Sequence, residues 1–211
     1  LRPAEAVRRR PHPRLDQGMS TPLVVIRGAG SALVLAQDEG GALPHVLHWG
    51  TDLPDAVLGD LTHLTGAPVP HNQPDAAWQV SVLPSSGQGW LGTPGLEAHR
   101  AGGRTAPRWV ATLEGGDHDA TVRATASDVG VLTVETELTN TAADGEPVDV
   151  GALRAVLPLP TRADEVLDLT GRWCRERAPQ RRPLTDGTWV RTSRRGRTGH
   201  DATLLMAAGT T

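Results

Sequence analysis

The sequence predicts an all-β fold of antiparallel sheets with at most one or two short helices. From Thr21 onward, short runs rich in Leu and β-branched residues alternate with Gly, Pro, Asp and Asn, which is the pattern of strands and turns. Apolar and polar residues alternate from Val131 to Thr139, as in a strand with one buried and one wet face. The 211 residues are enough for one large β domain.

The chain is predicted to open with a three-stranded meander. Its strands are expected at Leu23 to Arg27, Ser31 to Ala36 and Pro44 to Trp49. The Asp-Glu-Gly-Gly run between the last two favours a turn.

One short helix is predicted between Asp52 and Leu64. Asp52 is a suitable cap ahead of Pro54, which is tolerated in a first helical turn. The spacing places four apolar residues on one face, namely Leu53, Val57, Leu61 and Leu64.

The remaining strands are predicted from short apolar or alternating runs. They are Trp78 to Leu83, Trp109 to Glu114, Asp119 to Ala126, Val131 to Thr139, Val148 to Leu159, Ala163 to Leu169, Thr188 to Thr192 and Ala202 to Ala208. The runs at Val148 and Ala202 are apolar enough to predict buried strands. Because the last run ends near Thr211 without a polar tail, the sequence favours a domain that is truncated before a following one.

Composition excludes several classes of function. A net charge of -3 disfavours nucleic-acid binding, and no apolar run approaches the length needed to cross a membrane. All 21 basic residues are Arg, while Phe and Tyr are absent, a usage typical of a GC-rich bacterial genome. The single cysteine, Cys174, allows no internal disulfide, which favours a cytoplasmic location, and we expect its side chain to be buried.

The first residues have the composition of a disordered leader. Residues 1–18 are dominated by Pro and Arg and lack the apolar segment of a secretory signal. Met19 then begins the strand-like sequence, so the domain is predicted over residues 19–211 and the leader is interpreted as preceding the native start.

The usual anchors of metal and nucleotide chemistry are missing from the sequence. The eight His show no ligand spacing, and neither a Gly-x-Ser-x-Gly nucleophile motif nor a phosphate-binding glycine loop follows a strand. No pair of carboxylates with glycosidase geometry is recognisable either. We therefore predict no metal and no cofactor.

Two regions have the composition of binding surfaces. The stretch Leu167 to His200 combines many Arg with Trp173, Trp189 and several carboxylates, which favours an ion-pair network at an interdomain or subunit surface over a polyanion groove. Trp90 lies between glycines, either as a flat platform for a sugar or partner, or folded back over a sheet. The sequence alone favours the folded-back alternative.

Four segments together resemble the amino-terminal domain of bacterial α-galactosidases of glycoside hydrolase family 36. They are VLHWG, LPSSGQGWLGTPGL with EAHR, LPLPTRADEVLDLTGRWCRERAPQRRPL, and SRRGRTGHDATLL. The resemblance implies a β-supersandwich, a large two-sheet antiparallel sandwich, ahead of a catalytic (β/α)8 barrel that this chain lacks. It also implies hydrolysis of terminal α-linked galactose with retention, by two Asp of the barrel, so no residue of this chain is expected to be catalytic.

The resemblance also selects site residues. Loops of the amino-terminal domain wall the sugar pocket of a neighbouring subunit in tetrameric members, which makes His71, Asn72, Asp75 and Trp90 the candidates for substrate contact and a homo-oligomer the expected assembly. Asn72 and Asp75 suit turn formation equally well, and many members carry Asp-Phe-Arg where this chain has Trp-Leu-Gly. The interdomain or structural candidates are Trp173, Arg175, Glu176, Arg195 and His200.

Two hypotheses of function follow from the sequence. The first is the non-catalytic amino-terminal domain of a cytoplasmic α-galactosidase, which contributes to barrel packing, oligomer assembly and the pocket rim. The alternative is a free-standing carbohydrate-binding module without catalysis.

Overall fold

The fold is that of a mostly-β protein whose strands pair almost entirely in antiparallel fashion. The computed structural model describes residues 23–37, 43–64, 80–101, 111–112, 120–141, 145–192 and 202–210; the side chains of residues 62–64, 111–112 and 202–204 lie outside the description. The chain divides into two compact units, residues 1–157 and 158–211. The all-β class predicted from the sequence is confirmed.

In the residues that the structure describes, the first unit contains eight strands. They are β1 (Leu23–Gly28), β2 (Ser31–Ala36), β3 (His45–Thr51), β4 (Leu96–His99), β5 (Ala111–Thr112), β6 (Ala120–Ala126), β7 (Leu132–Leu138) and β8 (Asp149–Leu153). Three sheets result, with strand orders β1-β2-β3, β4-β8 and β5-β6-β7. The predicted meander is thus confirmed, and so is the alternation in β7, where every second residue is exposed.

The main core of the first unit lies between two of these sheets. Ile26, Leu33 and Leu35 from the opening meander pack with Val122 and Ala124 of β6. Because successive strand residues point to opposite faces, alternate apolar residues of each sheet meet in this layer. A second, smaller cluster contains Leu96 and Ala98 of β4, packed with Leu43 before β3, Leu83 before the Trp90 loop and Ala120 of β6.

Two turns of the first unit also lock these sheets together. A Cβ on Gly28 would lie 2.8 Å from the Cα of Gly130, so the turn after β1 can approach the turn before β7 only because both residues lack side chains. The Ser31 hydroxyl donates a hydrogen bond to the Gly130 carbonyl at 2.6 Å.

The helix α1 spans Asp55–Leu64. It begins three residues later than predicted and ends at the predicted residue. Its start is tied to β1 by Arg27, which forms ion pairs with Asp52 at 2.8 Å and Asp55 at 2.6 Å. Among the side chains described for this helix, Leu58 is buried, Leu61 is partly buried and Val57 is exposed.

Several predicted strands were wrong in extent or in kind. The described part of the Trp78 to Leu83 run forms an isolated bridge between Ser81 and His45. The Val148 run is a strand only at β8, where Val150 is 52% exposed. The Thr188 to Thr192 segment is irregular. These segments are apolar enough for strands, but they lack a neighbour that supplies a full ladder of hydrogen bonds.

The described part of the second unit forms a three-stranded antiparallel sheet with the order β10-β9-β11. Its strands are β9 (Glu165–Arg172), β10 (Arg175–Pro183) and β11 (Ala202–Gly209). The sequence did not predict β10, whose Arg and Pro content is unusual in a strand. The expected burial of the last strand was also wrong, because Leu205 is 56% and Met206 50% exposed. No helix in the described residues is long and apolar enough to cross a membrane.

Candidate functional site

The loop that carries Trp90 is a short and well-anchored connection between the smaller core cluster and β4. A single 3-10 turn, Ser86–Gln88, precedes the tryptophan, and the Gln88 amide donates to the Ser85 carbonyl at 3.1 Å. At the base of the loop, the amides of Gly95 and Leu96 both donate to the Pro84 carbonyl, at 2.7 and 3.1 Å. The loop is therefore held at both ends by backbone hydrogen bonds.

The indole of Trp90 folds onto its own loop. Its Nε1 donates a hydrogen bond to the Thr93 carbonyl at 3.1 Å, and the side chain is half-buried. A Cβ on Gly92 would lie 2.9 Å from Nε1, so the ring lies against backbone that only glycine leaves open. Among the described residues, Trp90 belongs to neither core cluster. The indole is thus fixed in place, and its one polar side-chain atom already has a hydrogen-bond partner.

The other candidates for sugar contact lie outside the described residues. These are His71, Asn72 and Asp75. Two of the interdomain candidates, Arg195 and His200, also lie outside the description. Their roles remain predictions.

The hairpin that joins β9 to β10 displays the remaining interdomain candidates. Trp173 is 79% exposed, and Arg175 and Glu176 are exposed beside it. Cys174 was expected to be buried, but its side chain is exposed. The reason is local, because Arg172 pairs with Arg175 and leaves Cys174 in the two-residue turn.

A buried carboxylate organises the other end of the same sheet. Asp168 is 1% exposed, and its two oxygens lie 3.6 Å from Arg182 and 3.4 Å from Arg191. Arg182 also stacks over Trp189, with 4.7 Å between the guanidinium carbon and the ring centroid. The predicted pairing of Arg with carboxylates and a Trp face is therefore present, and Arg181 pairs with Glu165 nearby.

Sequence reasoning did not single out Asp168 as the centre of this network. The signal was available, because β9 alternates and Asp168 falls on the same face as the buried Val166. Among the described residues, no group of three His, Cys, Asp or Glu side chains could hold a metal ion. The structure brings Trp90 and the Trp173 hairpin into well-defined local settings, each within its own unit.

Comparison with known proteins finds a family that part of this chain resembles. The model of the glycosyl hydrolase family 36 N-terminal domain matches residues 114–211, which include the Arg- and Trp-rich hairpin. Residues 114–211 are thus similar to a family 36 N-terminal domain. The match agrees with the resemblance predicted from the sequence motifs.

A curated relative supports the same family. This chain is 30% identical over 184 residues to α-galactosidase from Escherichia coli, in an alignment that covers 79% of this chain and 25% of the relative. The chain therefore spans about a quarter of the length of the curated relative it matches.

Solved structures share the fold. A variant of the family 36 α-galactosidase AgaA from Geobacillus stearothermophilus, in complex with stachyose, superposes with a TM-score of 0.68 at 20% identity over 89% of this chain and 31% of that one. A raffinose complex of another AgaA variant gives a TM-score of 0.66 with the same identity and coverage. AgaB from the same organism gives 0.64 at 20% identity over 92% of this chain and 31% of its own. At this level of identity the likeness establishes the fold.

Proposed function

We propose that this family 36 domain is the non-catalytic amino-terminal part of a bacterial, cytoplasmic α-galactosidase that removes terminal α-linked galactose with retention. The observation that carries the proposal is the family match over residues 114–211, supported by the E. coli relative, which is itself an α-galactosidase. The chain spans a quarter of that relative, and the proposal accordingly places the activity in a longer enzyme that includes a catalytic barrel.

The described acids support a non-catalytic role. A retaining glycosidase needs two carboxyl groups about 5–5.5 Å apart that face the sugar. Among the described residues, Asp168 is the one buried acid, and two arginines occupy its surroundings. The charge of Asp168 is thus accounted for by two arginines of the same unit, without a catalytic role.

The Trp90 loop is proposed to form part of the sugar-pocket rim in the assembled enzyme. Because its Nε1 is bonded to the Thr93 carbonyl, Trp90 offers a ring face and no spare hydrogen-bond donor. Such a face suits stacking against the apolar side of a galactose ring. His71, Asn72 and Asp75 are proposed to add polar contacts, while Trp173, Arg175 and Glu176 serve packing and assembly.

The test compares this chain with the complete enzyme on a chromogenic α-galactoside. We expect the isolated chain to be inactive, because the catalytic acids lie in the barrel. Turnover that a single Asp substitution in this chain abolishes would contradict the proposal. Tight galactose binding by the isolated chain, together with a complete gene that encodes no barrel, would favour the free-standing module instead.

The pocket-rim role is tested in the complete enzyme by Trp90→Ala. We expect KM to rise about fivefold with kcat nearly unchanged, since a stacking contact binds substrate and transition state alike. Gly92→Ala should have the same direction of effect, because the added methyl displaces the indole. The neighbouring Leu91→Ala is the control, as this side chain is 70% exposed. Equal kinetics for all three variants would reduce Trp90 to a packing residue.

A further inference from the structure

Two charged side chains lie beside the loop that carries Trp90. Glu97 is in β4, and Arg154 directly follows β8. The Nη1 of Arg154 donates hydrogen bonds to the Pro94 carbonyl and to Oε1 of Glu97, both at 3.3 Å. The Trp90 indole donates to the carbonyl of Thr93, the residue before Pro94. Because the Cα atoms of successive residues are about 3.8 Å apart, the indole and the guanidinium are attached to the same short piece of backbone.

The backbone around Gly95 fixes Arg154 next to this loop. The Arg154 amide donates to the Gly95 carbonyl at 2.8 Å, and the Gly95 amide donates to the Pro84 carbonyl at 2.7 Å. A Cβ on Gly95 would lie 2.6 Å from the Arg154 carbonyl oxygen and 2.9 Å from Cδ of Pro84, so only glycine permits this approach. The backbone of Arg154 is therefore held in place without a ligand, and such preorganisation reduces the entropy that is lost on binding.

A β-bulge between β4 and β8 presents the Glu97 carboxylate. Glu97 pairs with Ala152 and Ala98 pairs with Val150, which leaves Gly151 as the extra residue. A Cβ on Gly151 would lie 3.5 Å from Oε2 of Glu97, so the glycine leaves this oxygen uncovered. Bulges are frequent beside functional sites, where they redirect a side chain.

Both side chains have hydrogen-bonding atoms that the protein does not use. Among the described residues, Nε and Nη2 of Arg154 and Oε2 of Glu97 have no hydrogen-bond partner. The two side chains are also accessible, since Arg154 is 56% and Glu97 44% exposed. A hydroxyl group both accepts and donates hydrogen bonds, so the hydroxyls of one sugar ring can accept from Arg154 and donate to Glu97.

The charges of this pair indicate a neutral ligand. Arg154 and Glu97 offset each other, so the carboxylate repels an anion and the guanidinium repels a cation. Trp90 adds an aromatic surface whose only donor is already bonded to Thr93. An aromatic face beside a few well-placed polar groups is suited to a neutral polyhydroxylated molecule.

We propose that Arg154 and Glu97 bind hydroxyl groups of the sugar that stacks on Trp90. This inference rests on the pocket-rim role in the proposed function and deepens it, because it names two polar residues that determine which sugar hydroxyls the Trp90 loop recognises. Arg154 supplies the donor and Glu97 the acceptor. The bond between them holds both groups in position before the sugar binds.

The test is titration calorimetry of galactose binding to the complete enzyme, with singly deoxygenated galactoses as further ligands. Glu97→Gln is nearly isosteric and keeps an acceptor for Arg154, so we expect the loop to be retained while Kd for galactose rises about tenfold. For the wild type, removal of the contacted hydroxyl should likewise raise Kd about tenfold. In Glu97→Gln the same deoxygenation should change Kd by less than about threefold, because that hydrogen bond is already lost.

A second variant and a matched control complete the experiment. Arg154→Met removes the donor and should also raise Kd for galactose about tenfold. Arg123→Met removes another exposed Arg–Glu pair of the first unit, at 3.1 Å, and should leave Kd unchanged. In the nitrogen–proton spectrum of the 211-residue chain, the Trp90 indole signal, assigned with Trp90→Phe, should not move in Glu97→Gln.

Three results overturn the inference. They are unchanged galactose binding in either Glu97→Gln or Arg154→Met, an equal response of wild type and Glu97→Gln to every deoxygalactose, and a Trp90 signal that moves in Glu97→Gln, which would place the effect in the loop. Calorimetry needs no turnover. An enzyme that binds galactose through Glu97 but does not cleave α-galactosides would therefore contradict the proposed function alone.

Discussion

Each of the two units of this chain is stabilised internally by a different kind of interaction. The first unit buries apolar side chains from two facing sheets, with Leu33, Leu35 and Val122 at most 1% exposed. In the described part of the second unit, only Val166 and Asp168 are buried. Its three strands depend on backbone pairing and on Arg–carboxylate contacts instead. The comparison teaches that strand content alone says little about how a β sheet is stabilised.

The largest contrast should appear when matched leucines of the two units are truncated. Leu35→Ala leaves a cavity in the sandwich layer and should lower the free energy of unfolding by about 3 kcal/mol. Leu205→Ala removes a side chain that is 56% exposed in β11 and should cost less than about 1 kcal/mol. Urea unfolding followed by circular dichroism measures both. Equal losses would show that the second unit also has an apolar core.

The next largest loss of stability is expected when the buried charge of the second unit is removed. Asp168→Asn keeps the shape but removes the charge that faces Arg182 and Arg191. We expect a loss of about 1–3 kcal/mol, less than for a fully buried pair, because the arginine side chains are 40% and 29% exposed to solvent.

Asp168→Leu separates charge from volume in that experiment. If the ion pairs hold the 184–192 segment on the sheet, the leucine variant should be at least as destabilised as the asparagine variant, and added salt should weaken the wild type more than either. A leucine variant as stable as the wild type would contradict an electrostatic role for this residue.

Sequence reasoning succeeded where hydrophobic burial determines structure. The alternation in β7 is a direct consequence of one face packing on the core, so it can be read without coordinates. The same logic missed β10, because its arginines and prolines form an edge ribbon that buries little. Cys174 was misjudged because burial statistics ignore a turn with positive φ.

The candidate site was predictable only in part. Trp90 was recognised from its glycine-rich loop, but the bond from its Nε1 to Thr93 depends on a local backbone path that residue types do not specify. The Asp168 network required knowing which strands pair, since Arg182 lies diagonally across the β9–β10 ladder. The order of the sequence motifs, by contrast, predicted the family, although the hydrophobic pattern of the same residues indicates no function.

The smallest expected effect tests an exposed charge cluster in the apolar first unit. Arg27 joins β1 to the start of α1 through Asp52, Asp55 and a hydrogen bond of 2.8 Å to the Leu53 carbonyl. The hydrogen bond to Asp55 is the main cause that raises the pKa of Arg27 above its ordinary value. Arg27→Met keeps the apolar stem and should cost about 0.5–1 kcal/mol, because these groups are largely solvated.

The pH dependence of this loss in the free energy of unfolding follows from the raised pKa of Arg27. A raised pKa in the folded state contributes stability below the unfolded pKa and loses it only as pH rises through the folded pKa, and both values are strongly alkaline. The effect of Arg27→Met should therefore be constant between about pH 6 and 9, yet shrink in high salt. Arg123→Met, which removes one exposed ion pair within a sheet, should cost less. A loss that varies across this pH range, or resists salt, would show that packing and not charge joins α1 to β1.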